Sequence, residues 1–127
     1  MNNYEKLQAE YENLYIEERC MKNAGLYADG YVWINKNMTL SQKTCILAEE
    51  IGHFETTVGD ILDQDDANNR KQEYVARKWA YEKLIPVDRI QAAIDQGHTE
   101  LWTMAEFLDV DETFLKDALV HYGYLST

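Results

Sequence analysis

The residues best suited to chemistry stand together in one short stretch, Glu49-Glu50-Ile51-Gly52-His53. On a helix, Glu49 and His53 are i and i+4, so their side chains lie on one face about a turn apart. Glu50 sits one residue further round and reaches toward the same space. Carboxylates and an imidazole at this spacing suit two tasks, holding a divalent metal ion and moving a proton at a bound water. Charged helices also carry such strings with no chemistry attached. Their acids then face solvent, and a histidine near the C-terminus simply favours the helix dipole.

The nearest functional pattern is His-Glu-x-x-His, in which two histidines bind zinc and the glutamate between them polarises the attacking water. Here Glu49 occupies the first histidine position, so the string reads Glu-Glu-x-x-His. A carboxylate can ligate zinc at about 2.0–2.2 Å. Two carboxylate ligands would neutralise the ion locally, making it a weaker Lewis acid than a site with two histidines.

Several elements must position these residues. A helix start is written at Thr39 with Gln42, a capping box, and apolar Cys45, Ile46, Leu47, Ala48 and Ile51 carry the helix to His53 or Phe54. Upstream, Asp29-Gly30 is a two-residue hairpin signal followed by the β-formers Tyr31-Val32-Trp33-Ile34-Asn35, so Leu26 to Asn35 reads as a β-hairpin. The opening stretch, Tyr4 to Lys22, has near-helical spacing at Leu7, Tyr11, Leu14, Tyr15 and Cys20 and reads as a helix. Residues 55–69 are polar and turn-rich, a long loop of the kind that often serves function. A second strong helix covers roughly Asn68 to Leu84, ended by Pro86, the single proline. Three shorter helices follow, over Val87 to Gln96, Thr99 to Leu108 and Asp111 to Tyr122. The fold class is α+β, mostly α.

Composition sets the outer limits. The 127 residues suit one domain, and 46% hydrophobic content with 28% charged residues fits a packed core. A net charge of −11 argues against recognising nucleic acid, which requires Lys and Arg against phosphates, and suits a cationic ligand or basic partner. No apolar run approaches the roughly 20 residues of a membrane span, and the N-terminus lacks a basic segment followed by an apolar one. A cytoplasmic protein is expected. Cys20 and Cys45 form no Cys-x-x-Cys pair and read as buried reduced thiols. Trp33, Trp79 and Trp102 read as core aromatics, and His98 and His121 as surface residues. The C-terminal third has a helix-turn-helix cadence, but its acids argue against DNA and for packing or partner docking.

Leu47-Ala48-Glu49-Glu50-Ile51-Gly52-His53-Phe54 resembles the active-site helix of the ImmA/IrrE family of metallopeptidases, especially its short phage and prophage members. The stretch Glu73 to Pro86 is similar to that family's downstream helix, with a glutamate, spaced alanines, an aromatic and a closing proline. Gly59-Asp60-Ile61 and Tyr31 to Asn35 also look like the phage-type members. The resemblance covers roughly Gly25 to Pro86. It implies a zincin-like core over 1–86 with a small sheet packed on the metal-site helix, and a helical subdomain over 87–127 packed on that core as one unit. It further implies zinc, with His53 as ligand, Glu73 as downstream carboxylate ligand and Glu50 as general base. Glu49 would be an additional ligand. Asp60 would be an alternative ligand or a group orienting His53. An exposed Glu73 pairing with Arg70 or Arg77 is the plain alternative. Zinc peptidases bind substrates by adding a strand to a sheet edge, a role open to Tyr31, Trp33 and Asn35. The implied substrate is a helix-turn-helix repressor. A metal-free member that only binds such a repressor is the competing expectation.

Overall fold

Turn chemistry and long-range pairing together determine the first third of the chain. In a computed structural model, which describes residues 1–56 and 66–126, helix α1 spans Asn3–Glu10, and the Asn2 side chain caps it by accepting from the Glu5 amide at 2.8 Å. The helix expected over Tyr4 to Lys22 stops there. Tyr15–Arg19 is instead strand β1. A short run of aromatic and β-branched residues fits either period, and here the strand wins because it gains a partner.

That partner is the second arm of the expected hairpin. Strands β2 (Gly25–Ala28) and β3 (Tyr31–Asn35) pair antiparallel, joined by Asp29 and Gly30, both at positive φ. β1 runs parallel to β3 with Tyr15 opposite Tyr31 and Arg19 opposite Asn35, so the sheet order is β1-β3-β2. This corrects the expectation that Tyr31, Trp33 and Asn35 offer a free edge. β3 is bonded on both sides, and the open edges belong to β1 and β2. Trp33 lies under the Arg19 guanidinium, 4.5 Å from its ring centre. Asn35 is buried and ties loops together, its Nδ2 donating to the Met21 and Asn23 carbonyls at 3.0 and 3.3 Å. Val32 and Ile34 point the other way and are fully buried.

Helix α2 (Leu40–Thr56) covers that inner face. Its start is the expected capping box, with the Gln42 amide donating to Thr39 Oγ1 at 3.2 Å and the Thr39 amide to Gln42 Oε1 at 3.0 Å. Helix α3 (Asp66–Leu84) makes the most extensive contact with α2. Small residues set the approach: a Cβ on Gly52 would overlap the backbone of Ala76. Helices α4 (Val87–Asp95), α5 (Leu101–Leu108) and α6 (Glu112–His121) complete the chain. One buried cluster takes residues from α1, the sheet and all the later helices, from Tyr4 to Leu119.

Three expectations change. Cys45 is buried, but Cys20 is exposed. Trp102 is 53% exposed rather than core. His121 is not a surface residue: its side chain is 13% exposed and packs against the rings of Tyr74, Tyr81 and Tyr122, while His98 stacks on Phe107. Both histidines find aromatic neighbours across helices, which spacing along one helix cannot reveal.

Candidate active site

The last turns of α2 bring Glu49, Glu50 and His53 toward α3, and α3 answers with Glu73 and, one turn on, Arg77. His53 Nε2 lies 3.3 Å from Glu73 Oε1, with His53 mostly buried and Glu73 exposed. Arg77 approaches Glu49, its Nε 4.0 Å from Glu49 Oε1. Arg77 was legible only as a helix neighbour of Glu73, so its place beside Glu49 comes from the packing of α2 on α3.

The electrostatics are unfavourable by construction. Burial pushes the Glu50 carboxyl up to about 7, and the charges of Glu73 and Glu49 add to the effect. Burial also raises Glu49, against the opposing pull of Arg77, and Glu73 and Asp117 raise it further. Three carboxylates thus share a confined region with one guanidinium and one imidazole. A cation among them would relieve the mutual repulsion. A carboxyl poised near neutrality is also what general-base catalysis at pH 7 requires.

The His53–Glu73 separation fits a shared ion. Two donors each about 2.1 Å from an ion at the tetrahedral angle stand roughly 3.4 Å apart, and these stand 3.3 Å apart. Among the described residues no three His, Cys, Asp or Glu side chains converge closely enough to hold a metal. His53 and Glu73 are thus the two candidate donors that the described helices bring within reach of one another. Asp60 lies outside the described residues.

The sheet meets the site at β2. A Cβ on Gly25 would strike Ile46 and come within 3.3 Å of Glu50 Cγ, so the first residue of this edge strand rests directly against the candidate base. The glycine allows that approach, a role that no local signal in the sequence announced. Tyr31, Trp33 and Asn35 lie one strand further in.

No helix among the described residues is long and apolar enough to cross a membrane. No curated protein matches the chain. The family model described as the IrrE N-terminal-like domain, peptidase family M78, matches residues 4–119, from α1 into α6 and so across both helices of the site. The chain belongs to this family of metallopeptidases, the IrrE N-terminal-like M78 peptidases.

Proposed function

We propose that the chain is a zinc-dependent endopeptidase that cleaves a protein partner in the cytoplasm, with His53 and Glu73 as metal ligands and Glu50 as general base. One observation carries the reading: across the α2–α3 contact His53 and Glu73 stand at ion-sharing distance, beside a carboxyl pushed up to about 7. Zinc, when bound, lowers the pKa of a coordinated water and polarises a carbonyl. Glu50 takes the proton of the attacking water on its carboxylate and returns it to the leaving amine. Its raised pKa suits both transfers. The open edge of β2 holds the substrate as an added strand, hydrogen-bonding backbone to backbone beside Glu50. Glu49 would be a further ligand on giving up its approach to Arg77. The substrate class implied by the resemblance is a helix-turn-helix repressor encoded by the same prophage or mobile element.

A second reading is a metal-free module that binds the repressor without cutting it. The Glu49–Arg77 approach favours it, because a carboxylate held by a guanidinium is withdrawn from a metal. Metal analysis of protein purified without chelator or added zinc separates the two. The peptidase reading expects about one zinc per chain, lost in His53→Ala, and cleavage of a co-expressed repressor that disappears in Glu50→Gln. Metal-free wild-type protein that binds the repressor and leaves it intact would establish the second reading instead.

A further inference from the structure

A groove runs along α2 from Glu49, at the edge of the candidate site, between that helix and α5–α6. Its inner part, about 200 Å³, lies between Glu49, Ile46 and Phe114, and its outer part, about 620 Å³, opens toward Trp102. The two parts share Gln42, Asp111 and Thr113 in their walls, so they lie side by side along α2. Six carboxylates line it, those of Glu49, Asp117, Asp111, Glu112, Asp109 and Glu106, and no lysine or arginine does. Asp111 is partly committed to capping α6, accepting from the Thr113 amide at 3.1 Å. The indole of Trp102, at the outer end, is 53% exposed and held by a 2.7 Å hydrogen bond from its Nε1 to Glu100.

A bound metal ion is not what these acids suit, because no three of them converge on one point. They are spread along a trough with an apolar inner wall and an aromatic face at its mouth. Spaced negative charge, apolar contact and an exposed indole match a chain of spaced positive charges with apolar residues between them. We infer that the α2–α5/α6 groove binds an extended segment of a protein partner bearing several Lys or Arg residues, with its outer end at Trp102 and its inner end at Glu49. Such binding does not depend on hydrolysis or metal, so it stands or falls separately from the peptidase reading.

The test uses the full chain and two fluorescein-labelled dodecapeptides, one alternating Lys and Leu, the other Glu and Leu. Fluorescence anisotropy at low and at physiological salt reads binding. The basic peptide is expected to bind with an affinity that falls as salt rises, and the acidic one not to bind. Glu106→Lys/Glu112→Lys is expected to weaken binding by roughly tenfold or more. The matched reversal Glu12→Lys/Asp88→Lys removes the same charge off the groove and should change binding less than about threefold; Asp88 occupies the first turn of α4 as Glu112 occupies that of α6. Trp102→Ala should also weaken binding. The neutral pair Glu106→Gln/Glu112→Gln serves if the reversal disturbs folding. His53→Ala should bind the peptide like wild type, which keeps this result apart from that of the metal site. Equal losses in the groove and off-groove reversals would mean that overall charge alone attracts the peptide, and the inference would be wrong. Absence of binding to wild type at low salt would overturn it as well.

Discussion

Helix α3 meets a histidine on each of two sides, and the two meetings differ in kind. His53, from α2, faces a carboxylate, Glu73 at 3.3 Å, beside Glu49 and Glu50, whose carboxyls burial raises and the charge of Glu73 raises further. His121, from α6, faces rings. Tyr81, Tyr74 and Tyr122 surround it, its Nδ1 lies 3.4 Å from the Tyr74 hydroxyl, and Glu82 stands 4.0 Å off at the rim. Aromatic walls satisfy an imidazole by contact and lock it in place. A group of like charges around an imidazole leaves unrelieved repulsion, which the fold tolerates only where something else gains from it. Burial therefore does not separate a histidine suited to metal or proton chemistry from one that packs. The company it keeps does.

The largest effect expected from this contrast is on turnover. Glu50→Gln should lower peptide hydrolysis by about 10²–10⁴-fold, while His121→Gln leaves it within about threefold, both measured on a co-purified repressor substrate. A comparable loss from the His121 change would erase the distinction drawn above. Metal affinity comes next. His53→Ala should weaken zinc binding by at least about a hundredfold, and His121→Ala should leave it unchanged in a competition assay against a chromophoric chelator.

A smaller effect sharpens the electrostatic half of the comparison. The Glu50 carboxyl holds its proton up to about pH 7 in the folded chain, against 4.5 as the ordinary value. The folded state thus binds the proton more tightly than the unfolded state does. Its stabilising contribution is complete below about pH 4.5 and is lost as pH rises to 7, at most about 3 kcal/mol in all. Metal-free wild type should lose stability over that window in urea titrations, and Glu50→Gln should lose visibly less. Parallel curves would show that Glu50 is not strained. The smallest effect belongs to the aromatic side: His121→Ala should cost about 1–2 kcal/mol, more than His53→Ala costs the metal-free protein, as read by thermal melts at one pH.

What sequence reveals here follows the range of the forces involved. The capping box at Thr39, the Asp29-Gly30 turn and the stop near Pro86 are local, and each appears where its chemistry predicts. Glu49, Glu50 and His53 share one helix, so helical spacing alone placed them together. Glu73 was within reach of a motif comparison. The five residues of β1 satisfy either period, and only β3, sixteen residues on in sequence, decides between them. The same holds for Trp102, left outside the core, and for His121, packed among rings from other helices. A hairpin signal says nothing of a third strand on its other side, so β3 reads from sequence as an edge although it is the central strand.

Gly52 gives the site a tolerance in the machinist's sense. The gap between α2 and α3 is set by a hydrogen atom resting on the Ala76 backbone, next in sequence to His53 and one turn from Glu73. Nothing at that contact donates, accepts or titrates. Its thickness is nevertheless the dimension on which the spacing of the donors depends. A single methyl at position 52 would act as a shim, moving the donors apart while leaving every one of them chemically intact. The component with no side chain is thus the one that calibrates the others.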